Sequence, residues 1–503
     1  MISVNKILHY MTFSFWRSAL LIFATGASVR AGEGAPTRFV DPAPPTAQTL
    51  ADVTAPAAQK NPDVTFHAPP KELSPDAVTR DWPCFLGPTH NAFSTETSLT
   101  SDFAKTPPAV VWEMKKGTGY AAPALVDGRL ILLHRVGDEE VIECLDAFTG
   151  DRYWRFAYPT NYEDRYGYCD GPRASPAVAN GMVFAIGAEG KLHCLKLATG
   201  QLLWQRDLMA EFKLTQNFFG VGASPLVEGN LLIVNVGAPN GPCAAGFDTR
   251  TGRMVWGAGS EWGPSYATPT PAVLHGQRRV LVFAGGESRP PTGGLLCIDP
   301  ADGHLDCEFP WRSTRRESVN ASSPVVIGDR VFISECYGSG GVLLDLAGGS
   351  AKPLWTNPAF GTHFMTAIPR DGYLYGIDGH GPEDAFFVCV RLSDGQEMWR
   401  TRPQWDEIEQ RGEEKREVPI GTDRCTLIMC PGEGRCLCLG EYGHLLWLDL
   451  NPNGYKELSR TRLFAASDTW TPPALSRGLL YVCQNQPGEN GEPLRLMCYD
   501  LRK

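Results

Sequence analysis

The sequence predicts an all-β protein: an eight-bladed β-propeller of four-stranded antiparallel blades, its ring closed by an N-terminal strand. Three observations predict it. Gly (53) and Pro (40) are abundant among 503 residues while charged residues make up 20%, which suits many short strands joined by turns. From Tyr120 onward one phrase recurs with a period near 50 residues. Each unit, such as ASPAVANGMVFAIGAEGKLHCLKLATGQLLW (Ala174 to Trp204), holds four short apolar or alternating runs separated by turn residues. Four strands in such a period make a propeller blade.

The units close on a turn and a tryptophan: CLDAFTGDRYW (Cys144 to Trp154), CLKLATGQLLW (Cys194 to Trp204), FDTRTGRMVW, RLSDGQEMW. Followed along the chain, the closing position is Trp154, Trp204, Trp256, Cys307, Trp355, Trp399 and Leu458, at steps of 44 to 59 residues. Cys307 stands where a tryptophan is due. The long last step contains RPQWDEIEQRGEEKRE (Arg402 to Glu417), a charge-dense insert expected as a surface excursion with a helical turn or two. The final unit, Thr471 to Leu501, supplies only three strands, and PPAVVWEM (Pro107 to Met114) with Trp112 supplies the fourth. Joining the chain ends in one blade removes both free sheet edges. Glycine permits the positive φ of the turn. Trp112, Trp154, Trp204, Trp256, Trp355 and Trp399 are expected to be structural, filling the wedge between blades rather than touching a ligand.

Residues 1–31 read as a signal peptide: Lys6, His9 and Arg17, an apolar run from Ser18 to Val29, then Val29 and Ala31 at the small positions before cleavage. The run is short for a bilayer core of about 30 Å, so no membrane span is expected after cleavage. The alternatives are an uncleaved anchor and a start at Met11. Export to the periplasm or cell envelope of a bacterium follows. Residues 32–80 hold nine prolines and few large apolar residues, and are expected to be a disordered linker. Residues 81–503 form the propeller. The net charge of −10 and the absence of a basic block make the chain a poor candidate for binding anionic membrane surfaces, and no nucleic acid is expected as a partner.

Five of the 15 cysteines, Cys144, Cys194, Cys297, Cys389 and Cys498, share one place in a third strand. In adjacent blades such positions are about 11 Å apart, beyond the roughly 7 Å a disulfide spans. They are expected to be buried apolar residues. No cysteines are adjacent, no Cys-x-x-Cys-His occurs, and Cys436 and Cys438 lack companions at metal spacing. GTGYAA (Gly117 to Ala122) precedes a strand rather than the helix a dinucleotide loop needs. No Gly-x-Ser-x-Gly elbow appears, so no catalytic residue is assigned.

The residues ahead of each inner strand lie around the channel mouth. Ahead of the small-residue/Pro pair stand Tyr120, Arg173, Gly222, Tyr266, Ala321, Phe364 and Thr469. Their neighbours include Tyr166, Tyr168, Asp170, Phe219, Asn320, His363, Asp468 and Trp470. Aromatic and hydrogen-bonding groups of this kind anchor recognition. The candidate binding face is Tyr120, Arg173, Tyr266, Asn320, His363, Phe364 and Trp470. The competing reading makes these aromatics a plug, with Arg173 paired to Asp170 or Glu163.

The turn-tryptophan phrases resemble the docking repeats of the pyrroloquinoline-quinone (PQQ) type propellers, from Asp81 to Lys503. DWPCFLGP (Asp81 to Pro88) resembles the Trp-Pro-x-x-Arg-Gly-Pro motif of exported propellers common in planctomycete-like bacteria, with Leu86 in place of arginine. The resemblance implies one of two functions: a cofactor-free exported scaffold of the BamB type, or a quinone- and calcium-dependent alcohol dehydrogenase. No position carries over as a quinone or calcium ligand. The expectation is therefore a binding or assembly scaffold in the cell envelope with no cofactor. Its partner is an envelope protein or a small ligand at the channel mouth. A PQQ/calcium-dependent oxidoreductase is the alternative.

Overall fold

The computed structural model describes residues 39–46, 54–411, 414–432, 435–488 and 491–503. The leader, residues 1–31, lies outside the described residues. The turn-strand phrases fold into eight antiparallel sheets. Blade 1 is Ala124–Val126, Arg129–Val136, Glu139–Asp146 and Arg152–Pro159, in that order from the axis outward. Blades 2 to 7 repeat the meander, with inner strands Ala177–Ala179, Leu226–Glu228, Thr270–Leu274, Val325–Ile327, Ile368–Arg370 and Thr426–Met429. The eighth sheet combines Ala474–Ser476, Leu479–Cys483 and Arg495–Asp500 with Ala109–Lys115 from the N-terminal side. There Trp112 lies opposite Cys498.

The turn-tryptophan phrase is a docking joint. Trp154 lies opposite Cys144 within blade 1, and its Nε1–H donates to Leu197 O of blade 2 at 2.8 Å. The same bond runs from Trp112 to Ala147, Trp204 to Thr249, Trp256 to Pro300, Trp355 to Leu392 and Trp399 to Asn451, at 2.8 to 3.0 Å. The turn glycine of the next blade receives the indole face. A Cβ on Gly200 would sit 2.6 Å from Trp154, and one on Gly252 would sit 2.6 Å from Trp204. Glycine there serves both its positive φ and the close approach.

Two joints differ. Cys307 gives blade 4 no indole, and Trp311 Nε1–H instead donates to Gly340 O of blade 5 at 3.3 Å. In blade 7 the residue opposite the third strand is Ser459, not Leu458, which is 38% exposed. The large residue has moved to the third strand as Trp447, which donates to Thr100 O at 2.7 Å and stacks on Phe103.

The insert between blades 6 and 7 is a β-hairpin, Gln404–Arg411 with Glu414–Gly421, not a helical turn. Cross-strand pairing and three anchors hold it extended. Trp405 lies under the Arg460 guanidinium at 4.0 Å, Trp405 Nε1–H donates to Glu407, and Glu407 meets buried His444 at 2.8 Å. Among the described residues the α-helix is elsewhere, Leu208–Phe212, capped by Asp207, which accepts from Ala210 N.

The described parts of 32–80 pack on the blades rather than forming a free tether. Val64–Phe66 adds a fifth strand to the eighth sheet, with Phe66 opposite Trp112. Asp41 pairs at 2.6 Å with Arg206, whose side chain is fully buried, and accepts from Met254 N. Asn61, also buried, donates to Gly150 O. Composition misses this docking because it is made of backbone pairing and single anchors, not of an apolar core.

Candidate functional site

A belt of hydroxyls fixes the channel mouth. Before the inner strands of blades 2 to 6 a small hydroxyl residue accepts from the equivalent N–H of the preceding blade. Ala122 N donates to Ser175, Ser175 N to Ser224, Ser224 N to Thr268, Thr268 N to Ser323 and Ser323 N to Thr366, at 2.8 to 3.3 Å. Thr471 Oγ1 reaches Tyr120 O from blade 8. This belt satisfies inner-edge amides that would otherwise be buried without partners. It also sets the direction of the residue two places earlier, which points into the funnel.

Six of the seven candidate-face residues, Tyr120, Arg173, Tyr266, His363, Phe364 and Trp470, line one central cavity of about 210 Å³. Asn320 does not. It is fully buried and its amide donates to Ala284 O and Trp311 O, which makes it a brace for the loop. Tyr168 and Phe219 complete the wall. Six further lining residues escape the sequence reading: Phe85, Val319, Tyr337, His380, Arg424 and Pro472. Arg424 occupies the mouth position of blade 7. Its Arg-Cys-Thr-Leu stretch lacks the proline that aligns the others, although it parallels Arg173-Ala-Ser-Pro. Tyr337 and His380 follow second strands, a position the sequence alignment does not sample.

Phe85 reaches the cavity from the far end of the axis. Its segment pairs with inner strands on several sides: Trp82 with Leu125, Pro83 O with Val178 N, and Ala92 and Ser94 with Met429. Leu86 and Ala92 pack on Ile368 and Leu427. The Trp-Pro motif is thus a floor to the funnel. Leu86, where the motif has arginine, is buried and apolar.

The wall is aromatic and carries two guanidinium groups. Tyr120 and Trp470 stack with centroids 5.5 Å apart and planes 26° apart. Arg424 lies 4.4 Å from the Trp470 ring centre and is held by Glu441, which also accepts from Trp470 Nε1 at 2.8 Å. Arg173 donates at 2.5 Å to Asp164, whose side chain is fully buried, and to Cys169 O at 3.2 Å. Its partner is therefore Asp164 rather than Asp170 or Glu163. His363 and His380 lie 4.8 Å apart, and Tyr337 Oη meets His363 Nε2 at 3.1 Å. Burial, then the neighbouring His380 and Arg424, hold the His363 imidazole well below its ordinary value, so it is neutral near pH 7. Burial likewise lowers His380. The Tyr120 hydroxyl and His363 Nδ1 are buried without a hydrogen-bond partner among the described residues.

The architecture is that of an eight-bladed PQQ-repeat propeller. A family model described as outer membrane protein assembly factor BamB matches residues 137–401, more than half of the chain, and the chain belongs to that family. Among solved structures it resembles BamB from Moraxella catarrhalis, at 14% identity and TM-score 0.50, over 78% of this chain and 99% of that one. It also resembles a europium-containing methanol dehydrogenase, at 12% identity and TM-score 0.60, over 84% and 98%. Both likenesses are of fold. In sequence it is 31% identical to the quinohemoprotein alcohol dehydrogenase ADH-IIG of Pseudomonas putida over 302 residues, which is 55% of this chain and 39% of that enzyme. A 28% identity to the dehydrogenase subunit of the quinone alcohol dehydrogenase of Gluconacetobacter polyoxogenes covers 27% and 19%. The chain thus spans well under half the length of these curated relatives. Among the described residues no helix is long and apolar enough to cross a membrane.

Proposed function

We propose that this chain is a binding propeller of the bacterial cell envelope that takes one planar, mainly aromatic group into its central cavity. That group belongs to a small ligand or to an envelope protein. The observation that carries this reading is the convergence of stacked rings with two unpartnered polar atoms. Tyr120 and Trp470 offer ring faces, and Tyr120 Oη and His363 Nδ1 offer hydrogen bonds that the protein leaves unmade. Buried polar groups are ordinarily paired, so an orphaned phenol Oη and an orphaned imidazole Nδ1 on two cavity-lining residues point to a guest.

The quinoprotein reading is favoured by the relatives, and the ring-lined wall suits a planar quinone. The rest of the donor set does not fit a metal-dependent quinone centre. The nearby carboxylates Asp164 and Glu441 are held by Arg173 and Arg424, and among the described residues no group of three or more His, Cys, Asp or Glu converges on one point. We derive no redox step through this site.

The test is capture from an envelope fraction by wild type and by Arg173→Ala/Tyr266→Ala, alongside a soak with PQQ and calcium. Loss of capture by a folded variant is expected. Unchanged capture makes the mouth a plug and ends the proposal. Bound quinone with alcohol-dependent dye reduction replaces it with the dehydrogenase reading.

A further inference from the structure

Blade 4 breaks the docking pattern in a chemically specific way. In four other blades the third strand places a cysteine directly opposite the docking tryptophan: Cys144 and Trp154, Cys194 and Trp204, Cys389 and Trp399, Cys498 and Trp112. In blade 4 the same register brings Cys297 opposite Cys307. Directly opposite residues of antiparallel strands have Cα atoms about 4.5–5.5 Å apart. A disulfide needs about 4.4–6.8 Å. The separation that forbids bridges between blades therefore permits this one within a blade. Both side chains are buried, at 3% and 7% exposure, in one cluster with Phe309, Trp311 and Leu346 of the blade 4–5 seam.

We propose that Cys297 and Cys307 are joined by a disulfide in the exported protein, stapling the outer hairpin of the blade that lacks a docking tryptophan. The oxidant is a donor disulfide, R–S–S–R, of the glutathione or exported thiol-oxidoreductase class. The Cys307 thiolate attacks one donor sulfur and forms a mixed disulfide, releasing R–S⁻. The Cys297 thiolate then attacks the Cys307 sulfur and releases the second R–S⁻. The protein gives up two electrons and two protons, and the donor leaves as two R–SH. Cys307 attacks first because contact with Cys297 lowers its pKa and so favours its thiolate, while the same contact, with burial, raises the pKa of Cys297.

The staple holds strands already adjacent in sequence, so it acts locally. Its effect falls on a seam joined by the longer bond from Trp311 Nε1–H to Gly340 O, at 3.3 Å, in place of a docking tryptophan at position 307. Cys438 and Cys425 also touch, in blade 7, but Cys438 faces Leu427 in register, so Cys425 is offset along the strand. They serve as an internal comparison.

The experiment equilibrates full-length mature protein in a glutathione/glutathione-disulfide buffer, quenches it with acid and maps it without reduction. Trypsin leaves both cysteines in one peptide, so cleavage before Asp299, Asp302 and Asp306 separates them. Expected are a Cys297–Cys307 cross-link, two fewer reactive thiols than the 15 cysteines, and an unfolding midpoint in urea that falls on reduction. Cys307→Ser should remove the cross-link and the redox dependence together. Cys297 and Cys307 recovered free in glutathione disulfide, or a cross-link of Cys425 to Cys438 in their place, overturns the proposal. The wild-type map is decisive even if the variant fails to fold.

Discussion

Replacing Gly200 by alanine tests the docking joint at its tightest point. Gly200 has φ of +71°, and its added Cβ would lie 2.6 to 2.8 Å from three ring atoms of Trp154. The left-handed backbone alone costs a residue with a Cβ about 1–2 kcal/mol. Displacing the indole adds about 1–3 kcal/mol of overpacking. It also strains the bond from Trp154 Nε1–H to Leu197 O. Trp154→Ala removes a side chain only 7% exposed and should cost about 3–5 kcal/mol. With the indole gone, Gly200→Ala should cost only the backbone share. The two changes should therefore be non-additive by about 1–3 kcal/mol. Equilibrium urea unfolding of the four proteins, followed by far-ultraviolet circular dichroism, measures this directly. If Gly200→Ala costs the same with and without Trp154, the glycine serves the turn alone and the joint as described does not exist.

Deleting residues 107–115 should expose the edge of Arg495–Asp500 and take Trp112 from the blade 8–1 joint, so the protein should aggregate or melt far lower; an unchanged midpoint would count against a closing role. Asp41→Ala should cost about 1–3 kcal/mol, since buried Arg206 keeps only Glu211 among its carboxylate partners; a neutral result would show that the N-terminal strap contributes nothing. Burial lowers His193 and His90 to about 4 from an ordinary 6.5. Both are neutral when folded and take up protons more readily when unfolded, so stability should be full above pH 6.5 and fall towards pH 4. His193→Gln should flatten that fall. Trp470→Ala should weaken guest binding and lower the unfolding midpoint less than Trp154→Ala does, because Trp470 lines the cavity and is only partly buried.

Much of this architecture is legible because its determinants repeat. The tryptophan, its turn glycine and the third-strand cysteine each recur at fixed offsets, so one unit teaches the next. What is hidden is what does not repeat. Arg424 lacks the proline that marks the other mouth positions. Ser459 and Trp447 exchange large and small across a strand pair, which conserves volume while erasing the phrase. The hairpin at 404–421 looks helical by charge density, but Trp405 and Glu407 fix it through residues distant in sequence. Asp41 and Asn61 dock a proline-rich strap by single polar contacts that no hydropathy pattern reports. Asn320 shows the converse: its position promised recognition, and its amide is spent on two backbone carbonyls.

The floor of the funnel decides what kind of guest the mouth can serve. Phe85 lines the cavity, and its segment is bound to the inner strands of blades 1, 2 and 7 through Leu125, Val178 and Met429. The Phe85 segment therefore borders the central space across these blades. Tyr168 and Trp470, which both line the cavity, are in ring contact with centroids 6.1 Å apart. Phe85→Ala should deepen the cavity without disturbing the mouth, because the neighbours Trp82, Leu86 and Ala92 carry the segment's own packing. A guest reaching the floor would then bind with altered affinity, whereas one held only by the Tyr120–Trp470 stack would not. Equal binding by Phe85→Ala, together with loss on Trp470→Ala, would place the whole recognition surface at the rim. That outcome would favour the side chain of a protein partner over a molecule swallowed by the funnel.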